Sequence, residues 1–225
     1  MWNNGLYPET QAATLITLKH VVMAQHWYNH GGTYTFCDTN GQICVRSLAL
    51  SERISDDLRL GQLNAPLPDS FKPASVMSSN YVHYLSTGKY LPTLCLNQMK
   101  GATVLELEDL NCRALEKGGW WHDQYGRNSL TNYVSMQRNN IRSATPGGNS
   151  GCPVFLVVEN ELVLLFSKHL GSDTEDRWCR FWGPMLSFRL EAIQNKINEW
   201  EGPDAGQYQI VPFDLSTYPE LVNQR

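Results

Sequence analysis

Along the chain, apolar residues fall in short runs broken by turn-forming residues, and the dominant period within the runs is two. Leu58–Leu63 alternates Leu, Arg, Leu, Gly before closing on Gln and Leu. Comparable runs lie at Thr33–Cys37, 42–46, 94–96, 103–108, 133–137, Pro153–Val158 and 162–167. Runs of this length and spacing predict an all-β sandwich or barrel. Asn160-Glu161 supplies a turn between the last two, and Asn40-Gly41 suits a two-residue hairpin turn with positive φ at both positions. Near the carboxyl end the period changes. Leu190, Ile193, Ile197 and Trp200 recur at helical spacing within 188–200, and Gly202-Pro203 ends the run. Residues 204–225 read as an extended polar tail with Val211, Phe213 and Leu215 as apolar anchors.

Three prolines within 64–73 mark an extended connector and a crossing between two halves. The chain has 225 residues, enough for one domain or two small ones that share an interface. With 18 basic and 22 acidic residues it lacks the charge excess that a nucleic acid or an anionic membrane surface would call for. The apolar runs at 152–158 and 162–166 are far too short to span a bilayer and read as buried strands. Met1-Trp2-Asn3-Asn4-Gly5 has neither the basic flank nor the apolar core of a secretory signal. The expected location is cytoplasmic, or secreted or periplasmic where a leader precedes Met1.

Six cysteines leave the redox compartment open. The two-residue turn at Asn40-Gly41 would set Cys37 opposite Cys44 in a hydrogen-bonded pair, at a Cα separation of roughly 5.5 Å. A disulfide is within reach there, although such pairs are seldom bridged. No Cys-x-x-Cys pattern is present, which argues against structural zinc, and no motif calls for a cofactor.

Three segments carry candidate chemistry. In Gly147-Gly148-Asn149-Ser150-Gly151-Cys152-Pro153, glycines around a serine allow a sharp turn that aims amide N–H groups at one point. A strand follows the serine and no helix does, which excludes the elbow of α/β-hydrolases. A second segment, Lys19-His20-Val21-Val22-Met23-Ala24-Gln25-His26-Trp27, offers two histidines, either of which could be a base or a structural residue. The third, Ser55-Asp56-Asp57-Leu58, sets acids at the mouth of a buried strand, where burial demands hydrogen-bond donors.

In the order His, Asp, Ser these segments resemble the chymotrypsin-like serine proteases, and among them bacterial members such as the glutamyl endopeptidases more than the digestive trypsins. Thr14-Leu15-Ile16-Thr17 is similar to the family's Ser-Leu-Ile-Ser, and His20 to Trp27 is similar to Trp-Val-Leu-Thr-Ala-Ala-His-Cys without a gap. Asp57-Leu58-Arg59-Leu60-Gly61-Gln62-Leu63 is similar to Asp-Ile-Ala-Leu-Leu-x-Leu, and Gly148-Asn149-Ser150-Gly151-Cys152-Pro153 to Gly-Asp-Ser-Gly-Gly-Pro. The resemblance selects His26 over His20 and Asp57 over Asp56, and implies a triad of Ser150, His26 and Asp57. It implies oxyanion donors at Gly148 and Ser150. It also implies substrate-binding positions at Ala144, Ser167, Lys168 and His169, with Gly183 on a further wall. No metal enters this site.

The implied architecture is two six-stranded antiparallel β-barrels with a carboxyl-terminal α-helix. Residues 1–75 would form the first barrel, 76–90 the connection, 91–201 the second barrel and helix, and 202–225 the tail. Only 25 residues precede His26, so the first barrel is expected to have a short first strand or none. Asn149 stands where digestive members carry the aspartate that pairs with a new amino terminus, which argues against activation by such a cleavage. Trp27 replaces the cysteine of the family's histidine-loop disulfide. An apolar Ala144 argues against cleavage after Arg or Lys, whereas Lys168 and His169 would favour an acidic side chain or lie on the rim. The implied activity is endopeptidase cleavage of a protein or peptide. The competing classes are a silent protease-like binding module and an esterase that uses the same triad.

Overall fold

The computed structural model describes residues 12–27, 32–55, 57–83, 91–96, 102–112, 133–138, 150–167, 170–173 and 179–218. These are mostly β-sheet, with one α-helix near the carboxyl end. The first sheet contains β1 (Thr14–Leu15), β2 (His20–Ala24), β3 (Thr33–Cys37), β4 (Ile43–Ser55) and β5 (Leu58–Leu63). Its five strands are antiparallel, in the order β1-β2-β5-β4-β3. Later strands are β6 (Ser75–Met77), β7 (Leu91–Leu96), β8 (Ala102–Cys112), β9 (Tyr133–Arg138), β10 (Pro153–Val158), β11 (Glu161–Ser167), β12 (Leu170–Asp173), β13 (Cys179–Pro184) and β14 (Pro212–Phe213). They form a nine-stranded sheet in the order β12-β13-β9-β8-β7-β10-β11-β6-β14. Among the described residues no ladder joins β1 back to β3, so the first sheet is an open half-barrel. The ladders therefore define a coarser architecture than two closed six-stranded barrels.

β2 and β5 sit at the centre of the molecule because both of their faces are covered. Val21 and Met23 enter a core with Leu15, Tyr34, Leu63, Leu67 and Phe71. Val22, Leu58 and Leu60 point the other way, into a core with Phe155 and Leu164 of the second sheet and Ile193 and Ile197 of the helix. This second cluster bonds the two sheets through apolar burial, worth about 1.5–3 kcal/mol per fully buried side chain. The proline-rich connector contributes to the first cluster. It buries Leu67 and Phe71 and ties Leu67 N–H to Leu18 O at 2.8 Å.

The helix α1 spans Leu190–Glu201, with Ile193 and Ile197 on its buried face. Gly202, at φ +53, ends it, and a 3-10 turn over Gly202–Gln207 leads the chain back. β14 then runs parallel to β6, and Leu215 is fully buried in the core of the second sheet. The carboxyl-terminal stretch is thus more structured than an extended polar tail. Phe213 and Leu215 anchor it, but Val211 is 64 % exposed and its neighbour Ile210 is buried instead.

Two turns differ from expectation. Cys37 pairs with Ile43, and Phe36 with Cys44. Asp38 causes this shift: its side chain accepts from the Asn40 and Gln42 amides at 2.9 and 2.8 Å, and its carbonyl accepts from Gly41 N–H at 3.1 Å. Only Gly41 has positive φ, at +83. This is a type I turn closed by a glycine bulge, one residue longer than the two-residue turn. A one-residue change of register sends Cys37 and Cys44 to opposite faces, and both are free thiols. The later turn falls on Glu159-Asn160, since Val158 pairs with Glu161. Glu159 takes φ +52, an uncommon conformation for a residue with a side chain.

Candidate active site

Ala24 ends β2 opposite Leu58, the first residue of β5. The chain then turns through a three-residue 3-10 segment, Gln25–Trp27, which lifts His26 beside Asp57. Asp57 is 1 % exposed and holds this turn at two points. Its carbonyl accepts from Gln25 N–H at 2.8 Å, and its Oδ1 accepts from His26 N–H at 2.6 Å. The other oxygen, Oδ2, accepts a short hydrogen bond from His26 Nδ1. A carboxylate this buried is satisfied by its donors, as the cost of desolvation requires. Because Nδ1 carries the proton toward Asp57, Nε2 is left as the acceptor.

Ser150 meets that nitrogen from the opposite side, with Oγ 2.8 Å from His26 Nε2. The serine arrives on a turn that leads into β10, and Gly151 makes the turn possible. Gly151 has φ +88, and a Cβ there would lie 2.3 Å from Ala12 O and 3.5 Å from Ala24 N. The turn that carries Ser150 therefore rests directly on the backbone of Ala12, just before β1, and of Ala24 at the end of β2. Three residues from three segments form one hydrogen-bonded line, Asp57–His26–Ser150. His26 is the histidine that joins it, and the line also includes Asp57.

Ser167 ends β11, where it pairs with Pro153 at the start of β10. Its hydroxyl is buried and has no hydrogen-bond partner among the described residues. Gly183, on β13, lies against it, since a Cβ at Gly183 would approach Ser167 O to 2.4 Å and Phe166 Cδ2 to 2.1 Å. Gly148, Ala144, Lys168 and His169 lie outside the described residues. So does Asn149. Among the described residues no three His, Cys, Asp or Glu side chains converge as metal ligands, and no helix is long and apolar enough to cross a membrane.

His20 occupies the far end of β2 and belongs to a different cluster. It is fully buried, with Nδ1 2.8 Å from Thr17 Oγ1 and Nε2 3.1 Å from Glu201 Oε1. Thr17 Oγ1 already accepts from the amides of Lys19 and His20, so its hydroxyl proton is free for Nδ1. That leaves the Nε2–H tautomer, facing Glu201. Glu201 also accepts from Lys19 Nζ at 2.8 Å and Gln62 Nε2 at 2.6 Å. Trp200 stacks on the imidazole with centroids 6.3 Å apart. Burial lowers the pKa of His20 to about 4, against the opposing pull of Glu201. Burial pushes Glu201 upward, yet the hydrogen bonds from Lys19 and Gln62 outweigh it and hold the carboxyl below its ordinary value.

No protein-family model matches the sequence, and no curated protein matches it. The fold does have solved relatives. One is the passenger domain of plasmid encoded toxin, an autotransporter enterotoxin from enteroaggregative Escherichia coli. The superposition has a TM-score of 0.59 at 14 % identity and covers 84 % of this chain. The chain spans 22 % of that much longer molecule. At this identity the likeness is one of fold.

Proposed function

We propose that the protein is a serine endopeptidase in which Ser150 is the nucleophile, His26 the general base and Asp57 the orienting acid. The observation that carries this reading is the unbroken hydrogen-bond line from Asp57 through His26 to Ser150. The line has the polarity the chemistry needs. Nε2 takes the hydroxyl proton as Oγ attacks a peptide carbonyl, and later returns it to the leaving amine. Asp57 fixes the tautomer and stabilises the imidazolium that forms. The amide N–H groups of Gly148 and Ser150 are proposed to bind the oxyanion, where loss of one donor typically costs about 10²–10³ in rate. Water then cleaves the acyl-enzyme by the same proton path, so no cofactor is required.

Ala144, Ser167, Lys168 and His169 are proposed to line the substrate site, with Lys168 and His169 on its rim and no carboxylate to receive Arg or Lys. The architecture that goes with this reading is a pair of six-stranded barrels. The test is reaction with a fluorophosphonate probe and cleavage of a peptide library. The unmodified chain should label at one serine, and Ser150→Ala should neither label nor cleave. Undiminished cleavage by that variant, or no labelling of the unmodified chain, overturns the reading. The second outcome would favour a silent binding module.

A further inference from the structure

The turn that carries His26 has only three residues. A 3-10 segment this short makes too few internal hydrogen bonds to fix its own orientation. Asp57 holds its amides, as described above. Its first side chain is held as well: Gln25 Oε1 accepts from Arg59 Nε at 2.7 Å. The same guanidinium donates through Nη1 to Ser51 Oγ at 2.9 Å. Gln25 follows β2, Arg59 lies on β5 and Ser51 on β4, so Arg59 stitches across three neighbouring strands. A planar guanidinium fork suits two partners at a fixed separation, and an ammonium does not.

The placement follows from the strand's period. Side chains alternate along β5, and Leu58 and Leu60 enter the core shared by the two sheets. Asp57 and Arg59 therefore leave on the other side, toward the turn. One stretch of three residues thus supplies the partner of the imidazole and a support for the residue before it.

We infer that Arg59 is a positioning residue for His26, acting through Gln25 to hold the 3-10 turn at the distance that Ser150 requires. This rests on the reading of His26 as general base. Asp57 restrains the ring and the turn's amides, whereas Arg59 restrains the turn through a side chain.

The test compares R59A, R59K, Q25A, Q25E and the double variant R59A/Q25A in the full chain. Two quantities are read: steady-state kcat and KM on a peptide or ester substrate, and the proton NMR signal of the Nδ1–H that His26 shares with Asp57. R59A and Q25A should each lower kcat about tenfold with KM within about twofold, and broaden or abolish the signal. The double variant should be no worse than either single one, because all three remove the same bond. Q25E should keep kcat and signal, since its carboxylate still accepts from Arg59, while R59K should fall between. If R59A fails to fold, the contrast between Q25A and Q25E decides the matter. Multiplying effects in the double variant, or a folded R59A with unaltered kcat and signal, overturns the inference. Should the unmodified chain fail to react with fluorophosphonate, the catalytic reading falls alone. Loss of the signal in folded Q25A or R59A would then still uphold the brace, and its persistence would overturn it.

Discussion

Gly151 is where the requirements of backbone and chemistry meet in a single residue. Its φ of +88 is a conformation that side chains rarely adopt, and a Cβ would also collide with Ala12 O at 2.3 Å. Gly151→Ala must therefore move either the serine loop or the segment beneath it. Expected costs are about 1–3 kcal/mol from the strained φ alone, with further loss from the collision. Fluorophosphonate labelling should fall more steeply than stability does, because Ser150 is displaced from Nε2. A variant with ordinary labelling and an unchanged urea midpoint would refute this account. At this scale much was legible in advance. The residues singled out in the sequence as His26, Asp57 and Ser150 are those that the hydrogen bonds join. Bare residue chemistry left two histidines and two aspartates open, and only the resemblance to a family pattern separated them. Arg59 and Gln25 were not legible. Both lie inside the quoted motifs, but at positions where this sequence departs from the family pattern, and they meet across 34 positions of sequence.

Elements show a different pattern of success, set by how each one is buried. β5 and β10 were readable to the residue because their runs begin and end sharply against turn residues. β2 was not marked as a strand, since His-Val-Val-Met-Ala is buried at all five positions and shows no alternation. β6 and β14 are three and two residues long and exist only through pairing, β6 with β11 and β14 with β6. The register at Cys37 failed for a local reason, the Asp38 side chain that lengthens the turn. The joint between α1 and the first sheet gives this scale its prediction. His20 has an ordinary pKa of 6.5 and a folded value of about 4, lowered by burial. Between these values the unfolded chain takes a proton that the folded chain refuses, so stability falls as pH drops from about 6.5 toward 4. Held down to about 4 by burial, His20 makes this a loss on the order of a few kcal/mol. Glu201, whose pKa is also held low, adds a loss of the same sign at lower pH. Urea midpoints measured from pH 7 to pH 4.5 should decline, and His20→Gln should flatten the upper part of that decline. An equal slope in the variant would assign the effect to other groups. Glu201→Gln should cost about 1–3 kcal/mol at pH 7, because Lys19 and Gln62 lose a charged acceptor.

At the scale of the molecule, three apolar clusters among the described residues and a returning strap join what the sequence presents as separate runs. Leu215 is fully buried in the core of the second sheet although only ten residues follow it in the chain. Leu215→Ala should cost about 2–5 kcal/mol, as a large cavity in a packed core does, and a drop of under 0.5 kcal/mol in urea unfolding would show that the strap is dispensable. Such long-range joints were invisible in the pattern of residues, because β14 and β6 are separated by more than a hundred positions. The line Asp57–His26–Ser150 is also a long-range joint, its members coming from segments of two sheets that meet over one shared core. That division makes the hydrogen-bonded line a report on assembly. A half-folded chain can bury most of its leucines and still leave His26 Nε2 without Ser150, which arrives only when Gly151 settles on Ala12. Reactivity would then be the last property gained in refolding and the first lost in unfolding. On the catalytic reading, a newly made chain has no assembled Ser150–His26 pair with which to cut until its two sheets have met.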